Sequence, residues 1–243
     1  MSAPFPSPTK TWHDNTYVSL SPDLPHLSQN AKTILITGGG SGIGAETART
    51  FAAAGAAYIA LLGRRERPLV ETKASIETEF PGTKVFTAPT DVTVETEVNE
   101  AFRAFVEFTG GRGVDVLIAC AAVIGPQGDI EGVQSEPFLE SIQKNVKGAM
   151  YTGQAFLKYK AEGEETVVVD INSSAAHLNF APGFAGYTIS KWAVFRFWDC
   201  LGFESGFSRK GKVRVYHVQP GVVDTDMNRE AGGVKAMGFE DHG

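Results

Sequence analysis

The sequence predicts an α/β fold, a doubly wound three-layer sandwich in which helices cover both faces of a mostly parallel, six-stranded sheet. From Lys32 onward, short β-branched or aliphatic runs alternate with longer amphipathic segments, which is the pattern of a parallel sheet flanked by helices. The composition, 42% hydrophobic and 21% charged over 243 residues, is that of a globular chain. No internal repeat and no shift in composition marks a second domain.

Each element can be placed from its pattern of apolar residues. Strands are predicted at 33–37, 58–62, 84–88, 114–119, 166–171 and 213–218. Helices are predicted at 42–54, 68–80, 95–108, 136–159 and 186–203. Ser135 is expected to cap the helix that follows it, and Pro81 and Gly82 end the helix before them. Right-handed crossovers would then put ligands at the carboxyl ends of the strands.

Charge and cysteine content narrow the classes of partner. The formal net charge is -6 and no run of Lys or Arg occurs, which argues against a nucleic-acid surface and against attraction to anionic membranes. A small-molecule substrate is the expected ligand. The two cysteines, Cys120 and Cys200, give neither a disulfide framework nor a metal-ligand cluster. With no secretory signal visible, these features predict a soluble protein in the reducing cytoplasm and no bound metal.

A glycine-rich segment, TGGGSGIG at positions 37–44, lies between the first predicted strand and the first predicted helix. Glycines there permit a tight turn and a close approach of the backbone to a pyrophosphate, and the helix N-terminus supplies amide donors. A flexible loop is the alternative, but the position between strand and helix favours nucleotide binding. The candidate cofactor-binding residues in this loop are Gly38, Ser41, Gly42, Ile43 and Gly44.

Tyr187 and Lys191 stand four residues apart in a predicted helix, YTISK, so both side chains are expected on one face. An unperturbed tyrosine has a pKa of about 10 and is a poor acid or base at neutral pH. A nearby cation favours the phenolate, and we therefore expect Lys191 to lower the pKa of Tyr187. The spacing predicts a proton-transfer pair, although such a pair on a helix is more often a packed ring beside a solvated amine.

The two motifs together resemble the short-chain dehydrogenase/reductase family, which combines Thr-Gly-x-x-x-Gly-x-Gly with a downstream Tyr-x-x-x-Lys. In the segment ESIQKNVKGAMY, Asn145 matches the asparagine of the family's catalytic helix. The segment VVVDINSSAAH matches the strand that leads to its catalytic serine. The resemblance implies a Rossmann-type fold in which Tyr187 is the general acid or base and Lys191 binds the nicotinamide ribose. It further implies that a serine polarises the substrate carbonyl and that Asn145 holds a water molecule next to Lys191.

Two adjacent serines are candidates for the catalytic hydroxyl. Aligning Asp170-Ile171-Asn172-Ser173 on the family's Asn-Ile-Ser-Ser assigns the role to Ser173, whereas the commoner spacing to the tyrosine favours Ser174. Adjacent residues that leave a strand point to opposite sides, so only one of them can face the substrate. We expect Ser173 to be the catalytic serine.

NADP(H) is expected in preference to NAD(H). At the end of the second strand, Gly63 stands where NAD-preferring relatives carry Asp, and Arg64 and Arg65 follow it. An arginine there can pair with the 2'-phosphate, although surface arginines are also common as solvated charges. The resemblance implies further cofactor contacts from Asp91, Val92, Ala121, Pro220, Val223 and Thr225. Asp91 has a second interpretation as part of a helix cap.

Residues 1–30 are rich in Pro, Ser and Asp and are expected to form an extended N-terminal arm, and the glycine-containing residues 228–243 are expected to form a short C-terminal tail. The resemblance covers nearly all of the segment between them, so 31–227 is the expected dinucleotide-binding and catalytic domain. The family's last strand is expected to be missing after β-strand 213–218. The family's Asn-Asn-Ala-Gly segment is replaced by Ala119-Cys120-Ala121-Ala122. These departures leave two alternatives open: a dinucleotide-binding protein without catalytic activity, or a non-redox isomerase or dehydratase. A homodimer through the helices at 136–159 and 186–203 is expected.

Overall fold

The fold is known from a computed structural model that describes residues 17–163, 165–179, 182–207 and 212–232. Its sheet has six parallel strands in the order β3-β2-β1-β4-β5-β6. They are β1 (Thr33–Thr37), β2 (Tyr58–Gly63), β3 (Lys84–Pro89), β4 (Val116–Ala119), β5 (Thr166–Ile171) and β6 (Val213–Val218). The predicted α/β fold class is confirmed, as a Rossmann-type sheet with helices on both faces.

Helices connect the strands and cover both faces of the sheet. They are α1 (Gly42–Ala53), α2 (Glu66–Glu79), α3 (Glu95–Phe108), α4 (Ser135–Tyr159), α5 (Ala185–Ser205) and the short α6 (Asp226–Glu230). One apolar cluster contains Ile34, Leu69 and Ile76 from β1 and α2. The other contains Phe156 and Trp198 from α4 and α5. These two clusters fill the space between the sheet and the helices on its two faces.

The structure corrects several predicted boundaries. Helix α2 begins two residues before Pro68, because proline is tolerated in the first turn, where its missing N–H has no helical partner. Ser135 is the first residue of α4 rather than its cap; Gln134 holds that position, without a side-chain hydrogen bond. Strand β4 begins at Val116, because Val114 forms an isolated bridge with Lys160 instead.

The ends of the described chain add short elements. Within the expected N-terminal arm, residues 17–30 contain two 3-10 helices, Val18–Leu20 and Pro25–Leu27, so this part is not uniformly extended. Only the start of the expected C-terminal tail is described, and there α6 ends at Glu230. Among the described helices, none combines the length and apolar character needed to cross a membrane.

The chain order reverses at β1, which pairs with β2 on one side and with β4 on the other. In sheets of this kind, ligands bind in the crevice outside the carboxyl ends of the strands at such a switch point. The glycine-rich loop follows β1 at this position, and the segment Ala119-Cys120-Ala121-Ala122 ends β4 beside it. The fold thus creates one crevice next to both motifs.

Candidate active site

The predicted catalytic residues come from three elements at the carboxyl edge of the sheet. Tyr187 and Lys191 lie in the first two turns of α5, Ser173 follows β5, and Asn145 lies in the middle of α4. The α4 and α5 helices pack against each other, and Asn145 and Lys191 are both buried. The structure therefore brings together residues that are up to 46 positions apart in sequence.

Ser173 is the serine that contacts Tyr187. Its hydroxyl lies close enough to the Tyr187 phenol to influence the pKa of that group, and it accepts a hydrogen bond from the backbone N–H of Ala175 at 3.2 Å. Ser173 is the N-cap of a short 3-10 helix, Ser174–Ala176, in which Ser174 is the first residue. This local turn separates the two serines, and the Ser173 hydroxyl is the one beside the phenol.

The charge state of Tyr187 differs from the sequence-based expectation. Burial raises the pKa of Tyr187 above its usual value, and the Ser173 hydroxyl only partly opposes this. Burial likewise lowers the pKa of Lys191. The expected lowering of the Tyr187 pKa is not found, because burial disfavours the phenolate and is the largest influence on this group. Tyr187 is therefore a protonated phenol at neutral pH.

Lys191 is held in a fixed position next to the Tyr187 ring. Its Nζ donates a hydrogen bond to the backbone carbonyl of Ile171 at 2.7 Å and lies 5.8 Å from the centroid of the Tyr187 ring. The ammonium thus lies over the ring face, at a distance where a cation and an aromatic ring attract each other. The one-face arrangement predicted from the spacing is present.

Asn145 uses its side-chain amide to connect three elements. Its Oδ1 accepts from the N–H of Val123 at 2.8 Å, and its Nδ2 donates to the carbonyl of Val123 and to the Ser190 hydroxyl, both at 2.8 Å. These bonds fasten α4 to the loop after β4 and to α5. Because both amide donors and the carbonyl oxygen are engaged with protein groups, the side chain has a positioning role in this structure.

The glycine-rich loop has the shape that a dinucleotide requires. A Cβ on Gly44 would lie 2.3 Å from the carbonyl oxygen of Gly38, so only glycine permits this close packing of α1 on the end of β1. Gly42 has a φ of +52°, and a Cβ there would lie 3.0 Å from the Thr225 side chain. Ser41 is the N-cap of α1, and its hydroxyl makes no capping bond. The residues present fit a pyrophosphate at this helix N-terminus.

The neighbouring cofactor candidates line the same edge. Gly38 lies against the backbone of Ala121, whose N–H donates to the Thr37 hydroxyl at 3.1 Å. Ile43 accepts a hydrogen bond from the Thr47 hydroxyl inside α1. These contacts order the backbone of both sides of the crevice, next to the first turn of α1.

Asp91 and Arg64 lie close enough to interact at the end of the crevice near β2 and β3. Hydrogen bonds from the backbone and side chain of Thr93 lower the pKa of Asp91, and the charge of Arg64 contributes to the shift. Asp91 thus closes a turn before α3, but it does not cap that helix, because Val94 is the N-cap residue and no side-chain hydrogen bond caps the helix. Val92 follows it and packs against α4 at Gly148.

The segment at 220–225 reaches the opposite side of the glycine loop. The Thr225 hydroxyl caps α6 by accepting from the N–H of Asn228 at 3.2 Å, and the carbonyl of Val223 accepts from the Asn228 side chain at 3.2 Å. Pro220 precedes this turn at the end of β6. The contact between Thr225 and Gly42 shows that the segment borders the predicted cofactor crevice.

One pair of residues near the site was not predicted. Asp170 is buried in β5, and its Oδ2 lies 2.9 Å from Nδ1 of His217 in β6. The sequence does show an aspartate where the family pattern has asparagine, and a histidine in the last strand. Their contact depends on strand register, which the motif does not contain.

Comparisons with known proteins agree with this architecture. A model of the short chain dehydrogenase family matches residues 32–234. The short chain dehydrogenase/reductase AacuD of Aspergillus aculeatus is 31% identical over 98% of this chain and 79% of its own length. A short-chain type dehydrogenase/reductase from Mycobacterium ulcerans superposes with a TM-score of 0.75 at 32% identity, covering 83% of this chain and 71% of that one. A short chain dehydrogenase from Burkholderia cenocepacia, solved in complex with NADP, has a TM-score of 0.72 at 27% identity, covering 82% and 78%.

Proposed function

The chain belongs to the short-chain dehydrogenase/reductase family of oxidoreductases, and we propose that it transfers a hydride between NADP(H) and a carbonyl or secondary alcohol, with Tyr187 as the general acid or base. The observation that carries this proposal is the position of Tyr187, beside the Ser173 hydroxyl and with the Lys191 ammonium over its ring, at the same edge as the glycine loop. The substrate is a small molecule whose reacting oxygen reaches the two hydroxyls.

A nicotinamide dinucleotide, when bound, supplies or accepts the hydride. Tyr187 then gives its proton to the carbonyl oxygen during reduction, or takes the alcohol proton during oxidation. Burial raises the pKa of Tyr187, so the phenol is ready to act as an acid at neutral pH. Ser173 donates to the substrate oxygen and stabilises the charge that develops there. Lys191, fixed to the carbonyl of Ile171, is placed to bind the cofactor ribose and to stabilise the phenolate as it forms.

Selectivity for NADP(H) is assigned to Arg64. The residue before it, Gly63, has no side chain that could accept from a ribose 2'-hydroxyl, and Arg64 is exposed at the end of β2. The Arg64 charge also contributes to the lowered pKa of Asp91, which supports a position for Arg64 near the adenosine half of the cofactor. The NADP complex of the relative from Burkholderia cenocepacia supports the same cofactor for this chain. A guanidinium suits a phosphate because it can donate two parallel hydrogen bonds.

A homodimer and a cytoplasmic location complete the proposal. The outer faces of α4 and α5 carry exposed apolar residues, namely Leu139, Leu157, Ile189 and Trp192. Trp192 is 56% exposed, which is unusual for so large an apolar side chain, whereas Trp198 of the same helix is fully buried in the core. Pairing these two helices with their copies would cover Trp192.

NADPH consumption tests the catalytic proposal. The full chain is mixed with NADPH and a panel of ketones and aldehydes, and absorbance of the reduced nicotinamide is followed for the wild type and for Tyr187→Phe. We expect at least one carbonyl to be reduced, and we expect Tyr187→Phe to lower kcat on the order of a hundredfold or more, since it removes the proton donor and keeps the ring. Equal rates for the two proteins would remove Tyr187 from the mechanism.

A further inference from the structure

A row of four residues crosses the sheet next to the carbonyl that holds Lys191. Thr37 is in register with Ala119, Ala119 with Asp170, and Asp170 with His217, on four neighbouring strands. Residues in register on adjacent strands project to the same face of the sheet. Since the side chain of Ala119 has no polar group, it offers no hydrogen bond to the Asp170 carboxylate from β4. The carboxylate pairs with the His217 side chain of β6 instead.

Asp170 is a carboxylate in the interior of the protein, with 1% of its surface exposed. Its Oδ2 accepts from the Asn172 side chain and lies 2.9 Å from Nδ1 of His217. A carboxylate can only accept, so the imidazole donates its Nδ1–H. The His217 ring packs on Phe195 with centroids 4.2 Å apart, which fixes the direction of that N–H. The two donors hold the carboxylate in one orientation.

A cavity of about 20 Å³ joins Asp170 to the catalytic lysine. Asp170, Lys191, Asn145 and Ala119 all line it, as does Trp198. The indole N–H of Trp198 is buried and has no hydrogen-bond partner among the described residues. Room for one water molecule requires roughly 10–15 Å³, so a single water fits beside these polar groups and can connect the ammonium to the carboxylate.

The ionisable groups in and near this cavity lie on α5, β5 and β6 and at the end of β4. Lys191 lines it from α5, and His217 on β6 lies behind Asp170. Tyr187 and Cys120 lie outside its lining but close enough to interact electrostatically with Asp170. Burial raises the pKa of the Cys120 thiol to about 11, so this group is neutral at physiological pH. Among these groups, Asp170 is therefore the one that can supply a negative charge to balance the ammonium.

We propose that Asp170 is the internal counterion of Lys191, a positioning residue that His217 and Asn172 hold in place and that keeps the ammonium charged in the active site. Its consequence for catalysis rests on the proposed function, in which Lys191 supports Tyr187. The pairing itself is a property of the folded chain and can be measured without a substrate.

The direction of the effect follows from the shifts at the two catalytic groups. Burial lowers the pKa of Lys191, and the charge of Asp170 opposes that shift. Burial raises the pKa of Tyr187, and the charge of Asp170 adds to that shift. Without the Asp170 charge, both groups lose their protons at lower pH than in the wild type. Reduction requires a protonated Tyr187 and a charged Lys191. The loss of rate at alkaline pH would therefore begin at a lower pH in a protein without the Asp170 charge than in the wild type.

The direct test is Asp170→Asn, which removes the charge and keeps the size. The 13Cε signal of Lys191 is followed against pH in the full chain without cofactor and is assigned by its loss in Lys191→Arg. We expect the Lys191 transition to occur at lower pH in Asp170→Asn, and kcat/KM for reduction at pH 9 to fall on the order of tenfold relative to the wild type, with little change at pH 6. An unchanged Lys191 transition in a folded Asp170→Asn protein would overturn the proposal.

Two His217 variants keep the question decidable if Asp170→Asn does not fold. His217→Asn retains an N–H near the position of Nδ1, whereas His217→Phe keeps a ring on Phe195 and donates nothing. We expect His217→Phe to move the alkaline decline in kcat/KM to lower pH and His217→Asn to stay close to the wild type. Identical pH profiles for these two variants would contradict the positioning role. His26 is exposed and lies far from His217 in the sequence, so His26→Gln controls for the loss of an imidazole elsewhere in the protein.

The readouts separate this inference from the proposed function. If the wild type reduces no carbonyl and the Lys191 transition still moves in Asp170→Asn, the counterion is supported and the proposed reaction is not. If carbonyls are reduced and the transition does not move, the reaction stands and the counterion is rejected.

Discussion

At the scale of single residues, the two adjacent serines provide the sharpest contrast. Ser173 contacts the Tyr187 phenol, whereas Ser174 begins a 3-10 helix. We expect Ser173→Ala to lower kcat/KM on the order of a hundredfold, because it removes a donor to the developing charge on the substrate oxygen. Ser174→Ala is the matched control and should stay within about threefold of the wild type, measured under the same steady-state conditions. The reverse order would assign the role to Ser174.

Arg64 and its neighbour Arg65 give a second matched pair. Arg64→Ala is expected to raise the KM for NADPH on the order of tenfold and to leave the KM for NADH nearly unchanged, since only NADPH carries the 2'-phosphate that the guanidinium binds. Arg65→Ala removes an equal charge one residue later, at the N-cap of α2, and should change neither constant by more than about twofold. A wild type that prefers NADH would refute the assignment of NADP(H).

The motif residues could be predicted from sequence because each motif lies within a few consecutive positions. Tyr187 and Lys191 share a helix face, and the serine, the asparagine and the glycines were placed beside them by the family pattern. The protonation state of Tyr187 could not be predicted, because its pKa depends on how deeply the fold buries the phenol. The contact between Asp170 and His217 could not be predicted either, since it joins residues from two strands whose register only the folded sheet defines.

At the scale of elements, the junction of β1 and α1 is the most constrained part of the crevice. A Cβ at Gly44 would meet the carbonyl oxygen of Gly38 at 2.3 Å, so the helix would have to move away from the strand. We expect Gly44→Ala to lower the free energy of unfolding by about 1–3 kcal/mol and to weaken NADPH binding at least tenfold, measured by denaturant titration and calorimetry.

Gly82→Ala is the control for that substitution. Gly82 lies in the turn before β3, and a Cβ there would meet no atom within 4 Å. We expect its stability to stay within about 0.5 kcal/mol of the wild type and its NADPH affinity to be unchanged. Equal losses in both variants would show that the effect is not specific to the close packing of α1 on β1.

Most elements were predictable because their apolar patterns are long and regular. Strands β1, β5 and β6 and helix α3 have the predicted bounds, and they are bordered by turns or charged residues. The errors occur where local chemistry is ambiguous. Proline is tolerated at several positions in the first turn of a helix, so Pro68 does not define the first residue of α2. The prediction therefore began α2 at Pro68, two residues after its actual start at Glu66.

At the scale of the whole molecule, the exposed face of α4 and α5 predicts the assembly. Trp192→Ser removes the largest exposed ring from that face without touching the core. We expect the wild type to be a dimer in light scattering and Trp192→Ser to dissociate at concentrations at least tenfold higher, because a buried tryptophan commonly dominates an interface. Phe203→Ser, at the far end of α5, tests whether the effect is local to Trp192. A monomeric wild type would reject the proposed homodimer.

The transfer of deuterium from NADPH to a carbonyl carbon measures the proposed Tyr187-dependent hydride transfer most directly. NADPH carrying deuterium at both C4 positions of the dihydronicotinamide is incubated with the protein and a panel of carbonyl compounds, and the products are analysed by mass spectrometry. We expect the wild type to form an alcohol that carries deuterium on the former carbonyl carbon, and we expect Tyr187→Phe not to form it. Tight NADPH binding with no deuterium in any product would contradict it and favour a non-catalytic dinucleotide-binding protein.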